Sequence, residues 1–97
     1  MKPVSIAVDP KHGWLFWSQT SWSVYDDSSS EVYRTDLLGA NMTTIAYKHV
    51  GVVSGLTIDH IRSRLYWSDS FRKSIEVTDF DGSNRKTFMI LDVNILL

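Results

Sequence analysis

A chain of 97 residues with 43% apolar and 12% aromatic side chains can build a packed core, and a net charge of −1 lacks the basic footprint that a nucleic-acid partner requires. The absence of cysteine excludes a disulfide scaffold and thiol-based metal or redox chemistry. The apolar ending Phe88 to Leu97 is interrupted by Asp92 and Asn94 and falls far below the roughly 20 residues that cross a bilayer, so no membrane span is expected.

In chain order the sequence reads as eight short strands: residues 4–9, 14–18, 31–36 and 42–47, then 54–59, 64–68, 74–79 and 85–91. The first apolar run is closed by Asp9 and is too short for the apolar part of a signal peptide, so any secretion signal is expected elsewhere. The runs are rich in Val, Ile, Thr, Tyr and Trp, and no long segment has helical period. Between them stand Asp9-Pro10, His12-Gly13, Leu38-Gly39 and Asp81-Gly82, residues that fix φ or tolerate positive φ and so make turns.

The strands form a repeat. Ile6-Ala7-Val8-Asp9 with Leu15-Phe16-Trp17-Ser18 returns fifty positions later as Leu56-Thr57-Ile58-Asp59 with Leu65-Tyr66-Trp67-Ser68. Val32 to Asn41 returns only forty-three positions later as Ile75 to Asn84, which locates an insertion at 20–31 in the first copy. The first two strands of each copy are apolar on consecutive residues and so need cover on both faces, whereas the third and fourth alternate or begin charged and are expected nearer solvent. Wedge-like sheets of this kind fit the blades of a β-propeller, each running from centre to rim.

Leu15-Phe16-Trp17-Ser18 and Leu65-Tyr66-Trp67-Ser68-Asp69 resemble the YWTD signature. Asp79 to Lys86 and Ser54 to Asp59 are similar to two further motifs of the same family, the low-density-lipoprotein receptor class B repeats. The resemblance covers about Pro3 to Ile90 and implies an all-β fold: two four-stranded antiparallel blades of a six-bladed propeller, an incomplete ring. Residues 1–50 would form the first blade and 51–91 the second, with 92–97 a truncated or divergent tail. Gln19 stands where the signature has the aspartate supplied by Asp69, and Leu38 where the second turn has Asp81, which is expected to weaken the first blade.

The candidate residues divide into fold and function. Leu15, Phe16, Trp17, Leu65, Tyr66, Trp67 and Asp69 are expected to pack blades, the indole N–H groups finding partners, while Asp9, Asp59 and Asp69 satisfy backbone N–H groups at strand ends. Asn41-Met42-Thr43 is an N-glycosylation sequon. His12, His49 and His60 are candidates for pH sensing, with scattered surface histidines as the plainer reading. Because strand direction alternates, the insertion must share an end with the link from blade to blade, bringing Trp22, Tyr25, Asp26 and Asp27 near Tyr47 and His49. Such an acidic, aromatic face would suit a basic protein ligand.

No zinc-protease pair, nucleophile elbow or phosphate loop occurs, and Asp79-Phe80-Asp81-Gly82 lacks the spacing of a calcium loop, so no enzyme activity, metal or cofactor is expected. The strands also offer little toward the calcium-dependent lactonase chemistry that some six-bladed propellers carry. The resemblance instead implies an extracellular, non-enzymatic binding module of an endocytic lipoprotein-receptor-like protein. Its partners would be lipoproteins or other secreted proteins, besides further blades and EGF-like modules of a parent receptor. The alternative is a matrix or adhesion docking propeller of the nidogen kind. A chain of two blades leaves two blade faces bare, so it is expected to aggregate, stay molten or self-associate.

Overall fold

The computed structural model describes residues 2–21 and 29–91. Two antiparallel meanders follow one another: β1 (Lys2–Asp9), β2 (Trp14–Ser21), β3 (Ser29–Asp36) and β4 (Thr43–Ala46) make one sheet, and β5 (Val53–Asp59), β6 (Arg64–Asp69), β7 (Ser74–Asp79) and β8 (Lys86–Ile90) the other. The chain therefore forms two four-stranded blades of an incomplete propeller, with strand ends within a few residues of those expected. The inserted residues partly lengthen the second hairpin, since Thr20 pairs Ser30 and Ser21 pairs Ser29.

The two copies use matching turns. Gly13 takes φ +75° and donates its N–H to Asp9 O at 2.9 Å, and its repeat counterpart Ser63 also takes positive φ. In the β3–β4 and β7–β8 turns the left-handed position is filled by Asn41 and Asn84, a residue type that tolerates it. Each asparagine donates its side-chain N–H to the aspartate that ends the preceding strand, Asn41 to Asp36 at 3.0 Å and Asn84 to Asp79 at 2.8 Å.

One face of the first blade packs on the opposite face of the second. Register places Ala7 opposite Phe16, and Ser18 opposite Val32. It likewise places Leu56 opposite Trp67, and Ile58 opposite Leu65. Phe16, Val32, Leu65 and Trp67 are buried together with Ile45, Ala46, Val50 and Val53 in one core, and Ala7, Leu56 and Ile58 pack at its margin. At the turn end Phe80 reaches back to lie 4.9 Å from Phe16, and Arg34 both covers the Trp14 ring at 3.9 Å and donates to Phe80 O at 2.9 Å.

The expected gradient of burial from early to late strands fails for the third strands. Val32, Tyr33 and Thr35 in β3 and Glu76, Val77 and Thr78 in β7 are buried, because an inner strand has a paired neighbour on each side. By contrast Ile6 and Val8 of β1 are 59% and 47% exposed, since among the described residues no element packs on their side of the sheet. All of β8 is exposed, as expected of a rim strand.

Gly82 is where a turn meets the neighbouring blade: its φ is +88°, and a Cβ there would lie 2.6 Å from Ile45 O. Its counterpart Gly39 has φ +82° but open space around it. Gly82→Ala should therefore destabilise the chain by about 1 kcal/mol of backbone strain plus a further 1–3 kcal/mol of overpacking, and Gly39→Ala by the strain alone. Urea denaturation of the two variants checks this; equal losses would remove the blade contact as a cause.

Candidate functional site

The segment 47–52, which carries the chain from the rim of the first blade to the inner strand of the second, is held through backbone groups of Lys48, His49, Gly51 and Val52. Gly51 and Val52 donate their N–H groups to Asp69 at 2.7 and 3.1 Å, and the same carboxylate accepts from the N–H groups of Phe71 and Arg72 at 3.1 and 2.9 Å. Asp69 is 0% exposed, and a Cβ on Gly51 would come within 2.6 Å of its Oδ1, so the close approach requires glycine. On the acceptor side, Arg85 donates to the carbonyls of Lys48 and His49 at 2.6 and 2.7 Å while lying over the Trp67 ring. Ser30 closes the set: its N–H donates to Gly51 O at 2.7 Å, and its hydroxyl accepts from Val53 N–H at 2.9 Å.

These contacts seat the base of the inserted hairpin against the link. Tyr47 and His49 stand exposed there, His49 with φ +56°. Trp22, Tyr25, Asp26 and Asp27, the rest of the candidate ligand face, lie outside the described residues. The β6–β7 turn at the same end adds exposed Phe71 and Arg72, and Lys48 sits 5.7 Å from the Tyr47 ring. The described part of this end is thus aromatic and basic, whereas the sequence reading, which counted the acids of the insertion, had it aromatic and acidic. Phe71, Arg72 and Lys48 could have been added from the same alternation of strand direction.

The packing residues fall in two groups. Leu65 and Trp67 are buried between the blades, Trp67 with 1% exposure. Its indole N–H has no hydrogen-bond partner among the described residues, contrary to expectation, because the Arg85 guanidinium and apolar side chains occupy its surroundings. Phe16 is buried on the facing sheet, Tyr66 is half-buried on the far side of the second blade against Phe88, and Leu15 and Trp17 lie half-buried on the open side of the first, with Trp17 4.6 Å from Tyr33. Asn41 is exposed at the opposite end of the first blade from the link, its side chain engaged by Asp36.

The three aspartates expected to cap backbone all do so. Asp59 accepts from Ile61 and Arg62 N–H at 3.0 and 3.2 Å, and the Arg62 N–H and guanidinium hold its carboxyl below the usual range. Asp9 takes the backbone N–H of His12 and does more. It is buried, and its carboxylate receives the His12 ring at 2.7 Å from its own turn and the His60 ring at 3.5 Å from the second blade. Two of the three histidines, far from scattered, therefore meet one carboxylate across the blade junction. The readable signal was the pair Asp9…His12 and Asp59…Arg62, an acid with a cationic side chain three residues on in both copies. Burial alone would raise the Asp9 pKa, but the His12 hydrogen bond and charge, with His60 beside them, outweigh it and hold it below 3.8. No group of three His, Cys, Asp or Glu among the described residues is placed to hold a metal ion, and no helix there is long and apolar enough to cross a membrane.

The unfolded chain thus binds the Asp9 proton before the folded one as pH falls. Stability from this contact is full above about pH 5 and is lost as the pH drops through the folded value. Asp9→Asn should make the loss of stability between pH 5 and 3 shallower; an unchanged slope in acid titrations of thermal unfolding would contradict the assignment. Asp69→Ala strands four backbone donors and should cost about 3 kcal/mol or more, with a Tm lower by more than about 10 °C, and Asp69→Asn should fall between it and the native chain. An unaltered Tm in Asp69→Ala would show that the link is held by other means.

Comparison with known proteins agrees with this architecture. The family model for "Low-density lipoprotein receptor repeat class B" matches residues 63–96. The chain is 47% identical over 94 residues to the vitellogenin receptor of Solenopsis invicta, covering 97% of this chain and 5% of that protein. It is 33% identical over 83 residues to nidogen-2 of Mus musculus, covering 86% of this chain and 6% of that one. Among solved structures, a chain of a nidogen/laminin complex superposes with a TM-score of 0.75 at 28% identity, over 90% of this chain and 30% of its own.

Proposed function

From a chain that carries low-density-lipoprotein receptor class B (YWTD) repeats, we propose a non-enzymatic, extracellular protein-binding module: part of the propeller of an endocytic lipoprotein-receptor-like protein, acting in ligand capture or release. The observation that carries this reading is the 47% identity to a vitellogenin receptor over 97% of the chain. A second supports it: the link end gathers Tyr47, Phe71, Lys48 and Arg72 on a scaffold fixed by Asp69 and Arg85. Aromatic and cationic side chains on a backbone held by hydrogen bonds suit a protein partner. Further blades and EGF-like modules would complete the receptor, and Asn41 would carry glycan at the end away from the ligand.

A matrix-docking propeller is the second reading, favoured by the nidogen likenesses alone. Surface plasmon resonance with the immobilised chain separates the two. We expect saturable binding of a vitellogenin-type lipoprotein, weakened at least tenfold by the double change Tyr47→Ala and Arg72→Glu. Binding of laminin in its place would move the chain to the matrix class, and binding of neither would sink both readings. The matching tryptic map should show Asn41 modified after secretion from eukaryotic cells.

A further inference from the structure

Two of the four tryptophans stand three apart on β2, in the run Trp14-Leu15-Phe16-Trp17. The repeat accounts for only the second of them. Trp17 returns as Trp67, whereas the counterpart of Trp14 is Arg64, which pairs with Asp79 at 3.9 Å. The fold therefore accepts a cation where the first blade has an indole.

Trp14 opens β2, paired with Asp9 on one side and Asp36 on the other. Two residues before Phe16, it shares that residue's face of the sheet, the one covered by the second blade. Its ring packs at the margin of the core and stays half-buried, so what is left of its surface lies at the turn end of a closed junction. The Arg34 guanidinium lies 3.9 Å over the ring. Arg34 is itself held by the second blade, donating to Phe80 O at 2.9 Å, yet its buried Nε has no acceptor among the described residues. Buried donors are rarely left so. The arrangement belongs to the first copy alone, because Arg34 returns as Val77.

Trp-x-x-Trp is the pattern that C-mannosyltransferases of the secretory pathway read, and they act on its first tryptophan. We propose that Trp14 carries a mannose on C2 of its indole, an inference that rests on the extracellular reading of the chain. The donor is a lipid-linked mannosyl phosphate. The electron-rich indole C2 bonds to the sugar's C1 as the C1–O bond to phosphate breaks, the electron pair leaving with the phosphate. Loss of the C2 proton restores the aromatic ring, so the products are C-mannosyl tryptophan, the lipid phosphate and a proton. In the folded chain β2 is paired on both sides, and transfer therefore precedes folding. After folding, the sugar spreads hydroxyls over the apolar edge of Trp14 and brings oxygens beside the Arg34 guanidinium, whose Nε lacks an acceptor.

Mass spectrometry of the full chain, sent through the secretory pathway of mammalian cells behind a cleavable signal peptide and recovered from cells and medium, tests this. Trypsin cutting after Lys11 and Arg34 frames Trp14 and Trp17 in one peptide. One added hexose is expected there, placed on Trp14 by fragmentation and resistant to N- and O-glycosidases, because a carbon–carbon bond joins it. Trp17→Ala should lose the hexose and Phe16→Ala should keep it; since transfer precedes folding, a variant that folds poorly still reports. An unmodified Trp14 would overturn the inference, as would a hexose on a serine or threonine or one that survives Trp17→Ala. The added signal peptide secures entry to the pathway, so such a failure leaves the extracellular binding reading intact, and that reading falls only if the resonance experiment finds no ligand.

Discussion

Everything at the blade junction depends on the Asp69 carboxylate. A chain that leaves one sheet at its rim and enters the next at its inner strand must expose successive backbone groups to a dry environment, where each unsatisfied N–H costs about 1–3 kcal/mol. One buried carboxylate answers four of them, two in the link and two in the turn that follows β6. Because it sits two residues after Trp67, the side chain that fills the junction and the group that ties down the link are fixed by one strand. Apolar packing sets the distance between the sheets, and the hydrogen bonds at Asp69 and Arg85 set how the chain crosses that distance.

The strands and the pairing of the blades were legible in the sequence because they follow from periodicity two, turn chemistry and the repeat. Trp67 could be placed at the junction by its recurrence after Trp17, yet its lone indole N–H could not be foreseen. That depends on Arg85 arriving over the ring from a turn eighteen residues later. The meeting of His12 and His60 at Asp9 was likewise out of reach, since it joins turns of different blades whose proximity only the packing creates. Of the candidate face, alternation of direction put Tyr47 and His49 at the end where the link lies, but attention to the inserted acids passed over Lys48 of the link and Arg72 of the second blade.

The departures in the first copy have different weights. Leu38 in place of an aspartate costs that turn little, because Asp36 alone accepts from Leu38 N–H, Ala40 N–H and Asn41, each near 3 Å. The second copy divides the task between Asp79 and Asp81. Gln19 is another matter. It occupies the site that in the second copy gathers an incoming link, and its longer, uncharged amide cannot present two oxygens to the same four donors.

The link also shows that the unit of sequence and the unit of hydrogen bonding are out of step. Residues 47–52 follow the first blade in the chain, yet Asp69 and Arg85 of the second hold their N–H and carbonyl groups. A graft or circular permutation cut at Val53, where the second sheet begins, would separate this segment from both of its anchors. A cut placed before Tyr47 would carry segment and anchors together. The transferable module therefore begins at the rim of the blade before it.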